Sequence, residues 1–184
     1  VTSDNGYHVG EYRVPKGKRT PYATDTVVPM IAIGPGVPAG AEVSAMTSTI
    51  DLAPTFTELL SGTSPDWVDG RSLVPFLTDG QTPDGWRGAT LSESIGETNV
   101  SDPDYLPYIP PPFSALRSER WLYVEYDDGS TALYDQSTDP YELRNLVYAV
   151  DPGFIAALSA QLSQLDACSV SSCREADALT ITYP

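Results

Sequence analysis

Apolar positions run almost without interruption from Val27 to Ile33 (V-V-P-M-I-A-I) and stop at Gly34-Pro35-Gly36, a pattern that predicts a strand buried on both faces of a sheet. Residues 47–62 switch to helical spacing. Leu52, Phe56, Leu59 and Leu60 form one predicted apolar stripe, Asp51 is the expected N-cap, Pro54 fits the first turn, and Gly62 supplies the stop. Strand followed by helix is the grammar of an α/β layer. Residues 62–88 read as a Gly-, Pro- and Asp-rich connection with a short packed piece from Leu73 to Leu77.

The second half alternates differently. Residues 89–95, Ser114 to Arg117, Trp121 to Tyr126 and Thr131 to Tyr134 read as short strands, the last two joined by the hairpin signal Asp127-Asp128-Gly129. Asp151 and Pro152 open a helix in which Phe154, Leu158, Leu162 and Leu165 recur on the face expected to pack on that sheet. The prolines of residues 101–112 exclude regular structure, so Tyr105 and Tyr108 lie on a loop, read either as a cleft rim or as surface packing. The whole is α/β, expected to divide into residues 1–81, part of a larger α/β domain, and residues 82–184, a small antiparallel sheet with a packed helix.

Composition narrows the function. The 184 residues carry 10 Lys and Arg against 25 Asp and Glu, a formal charge of −15, which disfavours a phosphate backbone and argues against nucleic-acid binding. No apolar run is long enough for a membrane span. Four of the ten cations, Arg13, Lys16, Lys18 and Arg19, nevertheless cluster near the start, where an anion is expected to bind. The chain opens on Val1-Thr2-Ser3 without an initiator Met or a visible signal peptide, so a C-terminal part of a longer protein is expected. Cys168 and Cys173, too few for a structural zinc site, are read as a small-loop disulfide and an oxidising compartment, against the alternative of two reduced thiols.

The candidate chemistry begins at Asp4-Asn5-Gly6. A carboxylate beside an amide carbonyl offers hard oxygen donors for calcium or magnesium, and glycine lets the backbone turn beside them, although D-N-G is also a common turn. His8 alone is more often a satisfied or surface histidine than a catalyst, and Lys18 alone is more often a solvated lysine. Their combination is what points to a site.

That combination resembles a known family. S-D-N-G-Y-H-V-G-E-Y, P-K-G-K-R-T-P-Y, V-P-M-I-A-I-G-P-G-V, T-I-D-L-A-P-T-F-T-E-L-L-S-G, D-G-R-S-L-V-P-F-L and L-Y-D-Q-S-T-D-P-Y-E-L-R-N-L follow the order of the C-terminal half of sulfatases. They look most like the group of N-acetylglucosamine-6-sulfatases and extracellular heparan sulfatases, within the alkaline-phosphatase-like fold. The resemblance implies that Asp4 and Asn5 are two ligands of one calcium ion. It implies that Lys18 contacts the substrate sulfate and that His8 faces the substrate pocket. It also implies a formylglycine nucleophile and further calcium ligands upstream of this chain, a sulfated carbohydrate or aryl sulfate substrate, and a secreted or extracytoplasmic protein. Tyr22-Ala23 stands where the family has Tyr-Glu, leaving the local hydrogen bonding open. Two other readings remain: a phosphodiesterase or phosphonate hydrolase of the same superfamily, and a non-catalytic remnant that binds carbohydrate.

Overall fold

A computed structural model describes residues 1–96, 101 and 111–183. The expected loop with Tyr105 and Tyr108 lies outside the described residues. The secondary structure runs α1 (Ala23–Thr26), α2 (Leu52–Ser61), α3 (Val74–Thr78), strands β1 (Ala89–Ser94), β2 (Phe113–Ser118), β3 (Trp121–Tyr126) and β4 (Thr131–Asp135), then α4 (Pro152–Ala167) and α5 (Ser171–Asp177). The four strands form one antiparallel sheet in sequential order. Leu116 pairs with Leu91 on one side and Tyr123 on the other.

Alternation along these strands builds two cores. Leu116, Trp121, Tyr123 and Leu133 face α4, where Phe154, Leu158, Leu162 and Leu165 cover them. Burying each such side chain contributes roughly 1.5–3 kcal/mol before entropy is counted. Asp151 caps α4 as expected, accepting hydrogen bonds from the Gly153 and Phe154 amides at 2.9 and 3.2 Å. The opposite face carries Phe113, Ala115, Leu122, Val124, Ala132 and Tyr134, with Tyr22 packed against it. The sheet is therefore covered on both sides, and its second face seats the segment that follows Lys18. Beyond α4, Cys168 and Cys173 form a disulfide.

Three expectations fail, all before β1. Residues 27–33 form no strand: their backbone meets Val1, whose amino group donates to the Ile31 carbonyl and whose carbonyl accepts from the Ile31 amide. Apolar pattern proposes a strand but only a ladder partner makes one, and Ile33 stays 92% exposed. The stripe on α2 likewise points outward, with Phe56 and Leu59 exposed and Leu60 89% exposed, while Pro54 and Thr55 are the buried residues. Periodicity finds such a face but cannot say what covers it.

The third correction concerns Asp51, whose carboxylate does not cap α2. It is fully buried and accepts from Arg87 Nη1 and Nη2 at 2.6 and 2.8 Å, from the Ser48 amide at 2.8 Å and from the Arg71 amide at 2.8 Å. Ser48 and Asp51 instead form a capping box on the preceding 3₁₀ turn. Asp177 on α5 completes the cluster, binding Arg87 Nε at 3.1 Å and the Arg71 guanidinium. A charge so buried is tolerable only when fully paired. The C-terminal end of α2 behaves as expected, with Gly62 at φ 81°.

Candidate functional site

Asp4 and Asn5 follow Val1, whose backbone pairs with that of Ile31. Asp4 is exposed, and its Oδ1 accepts the Asn5 amide at 2.9 Å. Asn5 Nδ2 donates to the Gly6 carbonyl at 2.7 Å, which leaves Oδ1 to face Lys18, whose Nζ donates to it at 3.5 Å. The acid–amide doublet and the lysine thirteen residues later thus meet in space.

Gly6 explains the close packing beneath this doublet. Its amide donates to the Asp25 carbonyl at 2.8 Å, and a Cβ placed there would sit 1.9 Å from the Thr24 carbonyl oxygen. Only glycine permits that approach. Lys18 is delivered by a loop pinched at its base. His8 and Gly17 exchange both backbone hydrogen bonds at 2.9 Å. Within and after the loop, Tyr12, Arg13 and Arg19 adopt positive φ angles of 58, 60 and 83°. Backbone of this kind costs of order 1–3 kcal/mol per residue and persists only where surrounding contacts dictate it.

His8 is 1% exposed. Its Nδ1 lies 2.8 and 3.1 Å from the two Asp25 carboxylate oxygens, and its Nε2 donates to the Pro15 carbonyl at 2.8 Å. Both ring nitrogens are engaged within the protein. Asp25 also accepts from the Thr20 amide at 2.8 Å and the Thr20 hydroxyl at 2.6 Å. Sequence reasoning passed over Asp25, because nothing in A-T-D-T separates a buried hub from a surface acid.

The turn after Lys18 rests on the sheet. Tyr22 stacks on Tyr12, with ring centroids 4.0 Å apart, and meets Tyr134 edge-on at 5.9 Å. Burial, then the Glu142 charge, raises the Tyr12 hydroxyl pKa above its ordinary value. The hydrogen bonding left open at Ala23 is supplied by Glu142, whose Oε2 accepts the Ala23 amide at 2.8 Å. Glu142 Oε1 faces Arg117 Nη1 at 2.8 Å as an ion pair rather than an aligned hydrogen bond, and Arg117 Nη2 donates to the Pro21 carbonyl at 3.0 Å. Arg117 and Glu142 were likewise missed. Strand alternation puts Arg117 on the face of Phe113 and Ala115, a weak signal that it points toward residues 20–23.

Two oxygen ligands are too few for a whole calcium site, which takes six to eight. Among the described residues, no group of three or more His, Cys, Asp or Glu is placed to hold a metal ion. The donor chemistry of Asp4 and Asn5 fits part of a hard-cation site, with the remaining ligands to come from elsewhere. An open cleft of about 840 Å³ between Trp86 and Tyr183 is lined by none of the four predicted site residues.

Residues 10–167 match the family described as N-sulphoglucosamine sulphohydrolase, C-terminal. The chain is 32% identical to the N-acetylglucosamine-6-sulfatase of Bos taurus over 198 residues, covering 94% of this chain and 35% of that protein. It is 31% identical to human arylsulfatase K, covering 79% of this chain and 26% of the relative. The chain thus spans about a third of the length of such relatives. Among solved structures, one in complex with its substrate D-glucosamine-2-N,6-O-disulfate superposes with a TM-score of 0.73 at 24% identity, over 96% of this chain and 34% of that one. A phosphonate monoester hydrolase from Silicibacter pomeroyi superposes with a TM-score of 0.69 at 34% identity, over 89% of this chain and 33% of that one. By the extent of the family match and the identity to these relatives, the chain belongs to the sulfatase family, in the part described as N-sulphoglucosamine sulphohydrolase, C-terminal.

Proposed function

We propose that this chain is the C-terminal part of a calcium-dependent sulfuric ester hydrolase that acts on a sulfated sugar such as N-acetylglucosamine 6-sulfate. The observation that carries this reading is the 3.5 Å approach of Lys18 Nζ to Asn5 Oδ1, beside the Asp4 carboxylate. Asp4 and Asn5 would hold the calcium ion together with ligands from the protein's remaining region. Bound there, the ion would draw charge from the sulfate oxygens. Lys18 adds a fixed ammonium to the same oxyanion, an interaction that strengthens as charge builds in the transition state. The formylglycine nucleophile belongs to the region of the relatives that this chain does not span, so this chain alone should not turn over substrate.

The exposed faces of 27–33 and α2 fit the same picture, in which residues 1–81 pack against that further region and residues 82–184 form the small subdomain. The Asp51–Arg87 pair ties the two divisions together. A secreted or extracytoplasmic location is supported by the disulfide and by relatives named as extracellular sulfatases. Among the described residues, no helix is long and apolar enough to cross a membrane.

The second reading is a phosphonate monoester hydrolase, favoured by the 34% identity to the Silicibacter pomeroyi structure. Against a two-metal site rich in histidine stands His8, the single histidine, with both ring nitrogens already engaged. Turnover of an aryl sulfate against a phenylphosphonate monoester, with metal analysis of the full-length enzyme, separates the two. One calcium and preference for the sulfate support our reading, whereas two transition metals and preference for the phosphonate overturn it. Lys18→Ala should lower kcat on the sulfate by about 10²–10³-fold at saturating substrate. An unchanged kcat would remove Lys18 from the site.

A further inference from the structure

We infer that the buried pair His8–Asp25, together with Thr20, is the positioning device that holds Lys18 against the Asp4–Asn5 segment. The inference rests on the sulfate-binding role proposed above for Lys18.

Asp25 joins both halves of the site through separate atoms. Its backbone carbonyl holds the Gly6 amide at 2.8 Å, immediately after Asn5. Its carboxylate holds His8 Nδ1 and both donors of Thr20. The backbone of His8 in turn holds Gly17. Lys18 and Arg19 are therefore suspended between two anchored residues, Gly17 and Thr20, and both anchors lead to one carboxylate.

Two features argue for a role beyond stability. Well-packed apolar residues of the same volume often serve as well as an intact buried polar pair, so stability alone does not account for it. Arg19, between Lys18 and Thr20, sits at φ 83°. Only contacts that over-determine the chain maintain such a conformation, and the Thr20–Asp25 bonds supply them directly after the strained residue. A long, flexible lysine gains directional precision from a backbone fixed on both sides, and displacement of a positioned group by about 1 Å can cost about 10²-fold in rate.

The test uses the full-length enzyme carrying His8→Gln, Thr20→Val, Thr20→Ser and Lys18→Ala, and the double variant H8Q/K18A. Turnover of an aryl sulfate and calorimetric titration with inorganic sulfate are both read. His8→Gln and Thr20→Val should lower kcat by about 10–10²-fold with KM changed less than about threefold, and Thr20→Ser should restore most of the loss. H8Q/K18A should be no slower than K18A, and its sulfate affinity no weaker, because the pair acts through the lysine. Losses that multiply with K18A, or H8Q and T20V enzymes that behave as wild type, overturn the inference. If H8Q does not fold, the T20V and T20S variants and T20V/K18A are judged by the same criteria. A wild type that binds sulfate without hydrolysing the ester overturns the proposed function, and the titrations then decide the positioning role by themselves. A wild type that does not bind sulfate overturns the positioning role.

Discussion

Replacing Gly6 by alanine perturbs the site at its tightest point. The new methyl carbon would lie 1.9 Å from the Thr24 carbonyl oxygen and 2.8 Å from its carbon. Real Cβ atoms essentially never come within 3.0 Å of such neighbours, so the 4–6 segment or α1 must move by about 1 Å. The opposing atoms are backbone, held by the Asp25 amide bond to Tyr22 and by the Asp25 carboxylate, so no side chain can swing aside. Overpacking of this kind costs about 1–3 kcal/mol, and loss of the Gly6–Asp25 hydrogen bond adds about 1 kcal/mol. A fall in stability of about 2–4 kcal/mol is expected, read as a lower urea midpoint at unchanged m. The same displacement moves Asn5 relative to Lys18, and kcat of the full-length enzyme on an aryl sulfate should drop by about 10²-fold. A Gly6→Ala enzyme within about 0.5 kcal/mol of wild type, with normal turnover, would refute the close approach and the argument built on it.

Arg87→Met should destabilise by about 3–5 kcal/mol, because Asp51 loses its bidentate partner while remaining buried. The double variant with Asp51→Asn should recover part of that loss, and full additivity in urea unfolding would contradict the pairing. Acid sensitivity offers a further check at Asp135, held at about 2 by the Arg120 guanidinium first and then by the Ser137 hydroxyl and amide, against the opposing effect of burial. A depressed carboxyl stabilises the fold fully above its ordinary value near 3.8, and the contribution is lost as pH falls from there through about 2. Arg120→Met should lower stability at pH 6 only modestly, because the guanidinium is half exposed, and flatten the decline below pH 4. An identical acid profile for variant and wild type would show that the pair contributes nothing.

The legible parts of the fold are those whose partners lie close along the chain. Trp121 to Tyr126 and Thr131 to Tyr134 alternate cleanly and are joined by a tight turn, so strands, hairpin and covering helix could be read directly. Residues 27–33 and the α2 stripe could be recognised as apolar but not assigned a neighbour. Among the described residues Val1 meets residue 31 through its backbone, while Ile33, Phe56, Leu59 and Leu60 stay exposed, and hydrophobic pattern carries no address for the surface that buries it.

The site divides in the same way. Residue type made Asp4, Asn5 and Lys18 candidates, since hard oxygen donors and an ammonium suit a metal and an oxyanion, but it was the resemblance to sulfatases that implied their roles. Residue order was enough to mark the family. Neither could show that Asp25 joins Gly6, His8 and Thr20, that Glu142 supplies the acceptor for the Ala23 amide, or that Asp51 is buried against Arg87 instead of capping α2. Those roles depend on distances between residues up to 119 positions apart. Such distances follow from how the sheet and its flanking segments pack, and a carboxylate looks the same in the sequence whether packing leaves it in water or encloses it among donors.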